Sequence, residues 1–446
     1  MKTFAILLAA PLFLEVAAAQ GVWTQQSPTT SPSARNRQEL VTQLNGTVLL
    51  FGGRTGTGGA LSDTWRWDGA NWANMAPANS PGGRMGHGMA LDQSSGRTVV
   101  FSGWSGGSYL ADTWVFASGN WVNVNPANLP PGRDWPAMAW DENSQSVLLY
   151  GGHDWSLIVS GTGAFDDTWS WSGANWNQLG PANSPGRRQG HRMIYDPNSG
   201  LTITLGGGSG TGVTYNDMWG FDGSTWTQLT PPNLPSPRSF FGLTWDEARQ
   251  RVVLHGGSGG GAVLSDTWEW DGLDWTQTAT GGPGRHFLGM TYDGVNDRTL
   301  LQGGAIDNPV TADSDETWSY EGPSADWTNH GNALAGVGGE PVLTGQGALS
   351  SFSTVTLQLS NAAPSSTATL IVGGAKVDLP LFGGLLVPSP NFLIQVPIGA
   401  NGGFILPTVL PGGVPVGVSV FLQAWIVDAT GPQGYAASNG LEGLTS

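Results

Sequence analysis

The chain repeats one ten-residue stretch, Asp63-Thr64-Trp65-Arg66-Trp67-Asp68-Gly69-Ala70-Asn71-Trp72. Its Thr-Trp step, or a Met-Trp step in one copy, recurs with a nearly constant period. The tryptophans of this step are Trp65, Trp114, Trp169, Trp219, Trp268 and Trp318. Self-similarity at a fixed period is the signature of a repeat architecture, so each copy marks one structural unit.

Two further signals recur with the same period. A β-branched run ends in two glycines at Val48–Gly53, Val147–Gly152 and Val252–Gly257. Each unit begins with an arginine. The number of residues between this arginine and the double-glycine position is the same in every unit except the first, where it is one residue smaller. These arginines are Arg35, Arg84, Arg133, Arg188, Arg238 and Arg285. Between the signals, each unit of about 50 residues contains four short strand patterns joined by turns such as Asp68-Gly69.

Four strands in each repeated unit predict an all-β chain whose units close into a ring, a β-propeller. The double glycine, the Leu-x-Asp-Thr-Trp step and the trailing tryptophan resemble kelch repeats over about residues 21–330. The resemblance implies a six-bladed kelch-type propeller. Trp23 and Trp327 both look like fourth strands, so a seventh blade and the identity of the closing strand stay open. Trp23 precedes Arg35 by the interval that separates Trp72 from Arg84, so its strand can pair with the last unit and cover exposed edges.

The repeat stops after residue 330. Residues 331–446 alternate apolar and polar residues between Pro/Gly turns, which predicts a small antiparallel β-sandwich. The segments Phe421–Asp428 and Ser438–Leu441 resemble a tail domain of secreted bacterial proteins. We therefore expect a propeller over residues 20–330 and a separate C-terminal domain over 331–446.

The N-terminus and the composition restrict the environment and the partners. Lys2, an apolar run and Ala17-Ala18-Ala19 predict a signal peptide, residues 1–19, and hence a secreted or periplasmic protein. The 446-residue chain has a formal net charge of −16, which argues against nucleic acid or an anionic membrane as partner. It contains no cysteine, so disulfides and cysteine metal sites are excluded. No later segment is apolar enough to predict insertion into a membrane.

The repeat arginines allow two interpretations. In the first, they ring one mouth of the central channel and bind an anion through bidentate guanidinium groups. In the second, each arginine pairs with the acid that opens the third strand of its unit. Those acids are Asp63, Asp112, Asp167, Asp217, Asp266 and either Asp315 or Glu316. Equal number and equal period favour the second interpretation, although paired arginines such as Arg133 and Arg188 can keep donors for a ligand.

Tryptophan is most informative where it departs from the repeat. Of 22 tryptophans, all but Trp104, Trp135, Trp155 and Trp425 fall on repeat positions, where packing accounts for them. The first three should lie on one face, in adjacent blades, because they follow a double-glycine position or a repeat arginine. Aromatic side chains on loops suit stacked sugar rings, although rings that fold down over their own loops are the alternative. The predicted ligand site is Trp104, Tyr109, Arg133, Trp135, His153, Asp154, Trp155 and Arg188.

Three groups of propellers bear on catalysis. Resemblance to the secreted kelch copper oxidases implies a cysteine-linked tyrosine cofactor, which this chain cannot form. Sialidases carry a Ser-x-Asp-x-Gly-x-x-Trp box, and Phe221–Trp226 misses that spacing by one residue. Similarity to exported sialic-acid mutarotases implies an acid/base pair at an arginine-lined mouth, for which Arg133, Arg188, His87 and His191 are available. Histidine spacing supports a metal only weakly, so no metal or other cofactor is expected.

These observations favour a binding module without catalytic activity. The expected partner is a glycan, another extracellular polymer or an extracellular protein, held at the channel mouth. The alternative is an enzyme that acts on an anionic sugar at the same mouth, either an isomerase or a glycoside hydrolase.

Overall fold

The computed structural model describes residues 21–444 except positions 57, 161–162, 280, 323–326, 332, 336–339, 347–353, 382–383, 400–401, 410–417, 432–433 and 439. The expected signal peptide, residues 1–19, lies outside the described residues. Within that described part, no helix has the length and hydropathy that crossing a bilayer requires. The protein is all-β, with one short 3₁₀ helix, η1 (Trp155–Ser160), among the described residues.

The described repeat region forms six four-stranded antiparallel sheets, numbered I to VI along the chain. Sheets I to III consist of β2 (Glu39–Thr42), β3 (Val48–Phe51), β4 (Thr64–Trp67) and β5 (Trp72–Asn74); β6 (Gly88–Asp92), β7 (Arg97–Phe101), β8 (Thr113–Ala117) and β9 (Asn120–Val124); and β10 (Ala137–Asp141), β11 (Ser146–Tyr150), β12 (Thr168–Trp171) and β13 (Trp176–Leu179). Sheets IV and V consist of β14 (Arg192–Asp196), β15 (Leu201–Leu205), β16 (Met218–Phe221) and β17 (Trp226–Leu229); and β18 (Gly242–Asp246), β19 (Arg251–His255), β22 (Thr267–Trp270) and β23 (Trp275–Ala279), with the hairpin β20 (Ser258–Gly259) and β21 (Ala262–Val263) in a loop.

Sheet VI is completed by the first described strand of the chain. It consists of β24 (Gly289–Asp293), β25 (Arg298–Gln302), β26 (Thr317–Glu321) and β1 (Val22–Gln26). β1 pairs antiparallel with β26, with Trp23 opposite Tyr320. Of the two candidate closing strands that the sequence left open, the Trp23 strand is therefore the one that pairs with the last unit.

The six sheets follow one another around a closed circle. The first strands β2, β6, β10, β14, β18 and β24 contact one another in that order, and β24 contacts β2. Because the first strand of every sheet lies at the centre, side chains on these strands surround a common axis. The arrangement is consistent with a β-propeller.

Hydrogen bonds from tryptophan tie each sheet to the one before it. The indole Nε1 of each fourth-strand tryptophan donates to the residue that opens the third strand of the preceding sheet, at 2.8–3.0 Å to threonine Oγ1 and 3.4 Å to methionine Sδ. The pairs are Trp72–Thr317, Trp121–Thr64, Trp176–Thr113, Trp226–Thr168, Trp275–Met218 and Trp23–Thr267. The threonine of the recurring Thr-Trp step is thus explained by contacts between sheets.

The repeat arginines are buried, except Arg285, which is partly exposed, and all of them form ion pairs with the acid that directly precedes the third strand. Each of the first five makes two hydrogen bonds to its aspartate at 2.6–3.0 Å. The pairs are Arg35–Asp63, Arg84–Asp112, Arg133–Asp167, Arg188–Asp217, Arg238–Asp266 and, in the last unit, Arg285–Glu316. The predicted structural pairing is confirmed.

One acid illustrates how the charges are balanced. Burial would raise the pKa of Asp167, but the hydrogen bond and charge of Arg133, with the indole of Trp169, hold it below its usual value. The Nη1 of Arg133 also donates to the carbonyl oxygen of Gly151 at 2.9 Å. The guanidinium therefore joins two strands of one sheet, and its charge is matched where it is desolvated.

The C-terminal part contains three further sheets among its described residues. Its strands are β27 (Trp327–Gly331), β28 (Val342–Gln346), β29 (Thr354–Ser360), β30 (Thr367–Gly373), β31 (Lys376–Leu381), β32 (Gly384–Pro388), β33 (Phe392–Pro397), β34 (Phe404–Val409), β35 (Ser419–Val427), β36 (Tyr435–Ala437) and β37 (Gly440–Leu444). The sheet orders are β27-β37-β35-β30-β33, with β36 beside β35, then β28-β29-β34 and β31-β32. Leu357, Leu370 and Leu422 join the two larger sheets in one core. Because β27 pairs with β37, this region begins before the expected boundary at residue 331.

The Arg133–Asp167 pair gives a direct test of this framework. Arg133→Met should lower the free energy of unfolding by about 3–5 kcal/mol, because it leaves the partly buried carboxylate of Asp167 without its counter-charge and the Gly151 carbonyl oxygen without its donor. The measurement is the denaturant midpoint followed by tryptophan fluorescence. Arg66→Met, at an exposed position on β4, is the matched control and should change stability by no more than about 0.5 kcal/mol. Equal midpoints for the two variants would contradict a structural role for the pair.

Candidate functional site

The residues that depart from the repeat meet on one side of the ring of sheets, which we call the loop face. On this side, backbone bridges join Met85 to Trp104 and Asp134 to His153. Both bridges extend the same end of their sheets, II and III. Trp104 also bridges Tyr109, and it is half-buried. The loops after the double-glycine positions of these two sheets therefore open side by side.

Four of the predicted site residues come together there. The backbone N–H of Trp155 donates to the hydroxyl of Tyr109 at 3.1 Å, which ties the loop of sheet III to that of sheet II. The rings of His153 and Trp155 lie 4.2 Å apart, tilted by 45°. Asp154 lies between His153 and Trp155 in the chain. Asp134 pairs with His153 through a backbone bridge. We call Tyr109, Asp134, His153, Asp154 and Trp155 the Trp155 patch.

The position of Trp155 follows from local hydrogen bonds. Asp154 caps the start of η1, because its Oδ1 accepts from the backbone N–H of Ser156 at 2.8 Å and its carbonyl oxygen accepts from Leu157 N at 3.1 Å. The Asp154 N–H donates to Gly163 O at 2.7 Å, which closes the base of the loop. Aspartate is a preferred residue at such a helix start. Trp155 is thus held at the first position of η1 with 48% of its surface exposed.

The patch combines an aromatic surface with groups that hydrogen bond. Burial raises the pKa of Asp134 to about 8, against the opposing charge of Arg37. Asp134 Oδ1 has no hydrogen-bond partner within the described protein. Burial also raises the pKa of Tyr109 to about 12, so its hydroxyl keeps its proton. Burial lowers the pKa of His153, which leaves that ring neutral at pH 7.

The ring of Trp135, which follows Asp134 in the chain, packs in an aromatic cluster on the central axis. Its ring centroid is 4.8 Å from that of Phe240 and 5.1 Å from that of Phe287, and these two are 4.2 Å apart. The guanidinium carbon of Arg37 lies 4.6 Å from the Phe287 ring centroid and 5.4 Å from that of Trp135. We call Arg37, Trp135, Phe240 and Phe287 the plug, because they close the channel on the loop face.

The plug is built from one repeat position, two residues after each repeat arginine. The six residues there have φ between 53° and 64°: Arg37, Gly86, Trp135, Gly190, Phe240 and Phe287. Backbone hydrogen bonds of 2.6–3.1 Å run between them around the axis, from Trp135 through Gly86, Arg37, Phe287 and Phe240 to Gly190. This left-handed conformation is costly for residues other than glycine. The bonds around the axis and the ring packing offset that cost.

Glycine is required at two of these positions because the neighbouring ring occupies its space. A Cβ on Gly190 would lie 2.4 Å from the Phe240 ring, and one on Gly86 would lie 3.1 Å from the Trp135 indole. The large residues of sheets III and V therefore cover the small residues of sheets II and IV. This alternation of size could have been found in the sequence by aligning the units on their arginines, which also shows that Trp135 is on a repeat position.

Trp104 lies on the loop face outside the patch, whereas the two predicted arginines do not reach that face. Arg133 and Arg188 are fully buried and bound to their aspartates, so their guanidinium groups are not part of the patch. His87 and His191 are also buried, and burial lowers the pKa of both. The arginine-lined mouth expected for anion binding is therefore absent from the described structure. Nor do the described residues contain a group of three or more His, Asp or Glu side chains placed to hold a metal ion.

A pair of glycine variants tests the packing of the plug. Gly190 and Gly186 both have positive φ, but a Cβ on Gly186 would meet no atom within 4 Å. Alanine at either position should cost about 1–2 kcal/mol for the backbone. Gly190→Ala should cost about 1–3 kcal/mol more, because Phe240 is packed and cannot move freely. The difference between their denaturant midpoints measures the contact, and equal midpoints would show that Phe240 is not held in the plug.

Comparison with known proteins adds no family assignment. No protein-family model matches the chain, and no curated protein matches it.

Proposed function

We propose that this protein is an exported, six-bladed kelch-type β-propeller with a C-terminal β-sandwich, and that it binds neutral carbohydrate at the Trp155 patch. The circle of six described sheets and the repeat phrases support the propeller. Export rests on the expected signal peptide, and the sandwich rests on the shared core of the C-terminal sheets.

One observation carries the binding proposal. Among the tryptophan side chains that the structure describes, Trp155 alone is exposed. The others are buried or partly buried, most of them at repeat positions in or between sheets. The exposed indole of Trp155 adds little to the packing of its loop, which is already held by hydrogen bonds. A flat apolar ring held in place beside hydrogen-bonding groups is the arrangement that sugar rings stack on.

The charges favour a neutral sugar over an anionic one. Asp154 lies beside Trp155 in the patch, Asp313 contacts Asn36 elsewhere on the loop face, and the whole chain carries −16. Of the loop-face arginines, Arg37 is bound in the plug and Arg54 donates to the carbonyl oxygen of Gly56. Hydroxyl groups can donate to the carboxylates and accept from Tyr109, whereas a sugar carboxylate would be repelled.

The first test is a glycan array that includes neutral and anionic polysaccharides. We expect binding to neutral glycans and at least a tenfold loss in Trp155→Ala, which corresponds to about 1.4 kcal/mol of stacking. Trp155→Phe keeps a flat ring and should retain part of the affinity.

Leu273→Ala removes an equally exposed apolar side chain from a turn of sheet V and serves as the control. Its affinity should equal that of the unaltered protein. Unchanged binding in Trp155→Ala, or a preference for anionic glycans, would rule out the proposed site.

A second candidate function, acid catalysis on the bound sugar, is favoured by Asp134 alone. A carboxyl group with a pKa of about 8 is protonated at pH 7, and an acid poised near the working pH is what proton transfer to a sugar oxygen needs. Asp134 would then act as a proton donor in an isomerase or a glycoside hydrolase.

If this is so, Asp134→Asn should lower turnover of a retained oligosaccharide by about 100-fold or more, with binding unchanged within about twofold. In the unaltered protein the donor must carry its proton, so the rate should fall as the pH rises through about 8. Product release followed by chromatography measures both effects. Turnover that persists in Asp134→Asn, or no turnover by either protein, removes the catalytic candidate and leaves the binding proposal in place.

A further inference from the structure

A second opening lies on the side of the ring opposite the loop face. There the channel forms a cavity of about 780 Å³, lined by residues from the first strands of all six sheets. The turns that follow these strands, including Leu44, Gln93, Glu247 and Asp297, form its entrance. Because the plug closes the loop face, the entrance on this opposite face is the route into the cavity.

One ion pair crosses the inner end of the cavity. Nη1 of Arg192 lies 2.7 Å and 2.8 Å from the two carboxylate oxygens of Glu39, and its Nε donates to Phe241 O at 3.0 Å. Glu39 belongs to sheet I and Arg192 to sheet IV, on opposite sides of the ring. Both occupy the fourth position after a repeat arginine. The same position in the other units holds Gly88, Ala137, Gly242 and Gly289.

The glycine and alanine residues at this repeat position leave room for the ion pair. The opposite charges of Glu39 and Arg192 cancel each other. Burial raises the pKa of Glu39 above its usual value, while the charge of Arg192 opposes that rise. Whenever the carboxyl group is ionised, its charge is matched by Arg192. The inner end then carries no net charge, so the charge preference of the cavity is set at its entrance.

Three aromatic rings line the cavity near that entrance, at one repeat position. They are Trp140 of sheet III, Trp245 of sheet V and Tyr292 of sheet VI. Trp245 is the most exposed of the three, since Trp140 and Tyr292 are each 7% exposed.

Each ring gives its polar hydrogen to an exposed carboxylate. Trp140 Nε1 donates to Glu142 at 2.7 Å, Trp245 Nε1 donates to Glu247 at 2.8 Å, and the Tyr292 hydroxyl donates to Asp297 at 2.9 Å. The polar edges of the rings are therefore satisfied, and negative charge lies beside them. Aromatic faces backed by carboxylates attract organic cations.

Among the described residues that line the cavity, Glu39, Glu247 and Asp297 are acidic and only Arg192 is basic. With Glu39 and Arg192 cancelling, the remaining charge is negative and lies at the entrance. The wall between the entrance and the ion pair is apolar, with Leu91, Met138 and Met290 among its residues. The wall of the cavity is thus mainly apolar, and the carboxylates at its entrance favour a positively charged group.

We propose that this cavity binds an organic ammonium ion with an apolar body, the ammonium group lying against Trp245 and Glu247 and the body reaching toward the methionines. The volume admits a ligand of drug-like size. The site is separate from the Trp155 patch, so neither proposal depends on the other.

The test is titration calorimetry at pH 8 with hexyltrimethylammonium bromide. Hexan-1-ol carries a similar chain without charge, sodium hexanoate carries the opposite charge, and sodium bromide controls for salt. The ammonium ion should bind at least tenfold more tightly than the alcohol, and hexanoate should not bind. Trp155→Ala should leave this binding unchanged, which separates it from carbohydrate binding.

Variants locate the site. Trp245→Leu and Glu247→Gln should each weaken ammonium binding by about three- to tenfold, in line with the strength of a partly exposed cation–π contact. Trp219→Leu is the matched control for the first, because its indole also donates to a carboxylate, Asp217, but lies outside the cavity. Glu340→Gln, at an exposed position outside the lining, is the control for the second.

Thermal unfolding verifies that all four variants fold. Equal affinity for the alcohol and the ammonium ion would overturn the proposal. So would heats no larger than those of sodium bromide, or losses that are the same in the control variants.

Discussion

Every sheet of the ring depends on an ion pair between its repeat arginine and the acid just before the third strand, and the arginine is buried in all sheets except VI. In most units this acid belongs to an Asp-Thr-Trp triplet. An unpaired guanidinium in the interior would be costly, and here its donors are matched by both carboxylate oxygens and a backbone carbonyl group. The triplet makes three bonds at once. Its acid binds the arginine and the indole two residues later, and its threonine accepts the tryptophan of the next sheet. The short triplet therefore fixes a strand within its sheet and a sheet against its neighbour.

This framework confines variation to a few positions around the axis. The fourth position after each arginine carries Glu39 and Arg192 on opposite sheets and only glycine or alanine elsewhere. The second position carries the plug. The first position after the double glycine carries Arg54, Trp104 and His153 in the first three units and small residues in the others. The framework is the same in every unit. The side chains that could contact a ligand lie mainly at these three repeat positions, where the units differ.

Much of the fold could be predicted from the sequence, because the signals are local. The period and the four strands of each unit follow from spacings within a single repeat, whereas the choice between the Trp23 and Trp327 strands as the closing strand did not. The ion pairs followed from the equal period of arginine and acid. The site was harder to predict, since its contacts cross the axis. Glu39 and Arg192 are 153 residues apart, and Trp135 meets Phe240 and Phe287 from other sheets. Such contacts become visible only when units are aligned and opposite sheets are compared. Trp155 was identified because no other unit has an indole at its position.

The central claim is that Trp155 is the one exposed indole among the described tryptophans and that it is the indole that meets a neutral sugar. The most direct measurement is a titration of protein labelled with ¹⁵N-tryptophan with neutral oligosaccharides, followed by the indole N–H signals in NMR. The Trp155 signal, assigned by its loss in Trp155→Phe, should shift while those of the sheet tryptophans stay in place. No shift at any indole, or shifts confined to other tryptophans, would contradict the account.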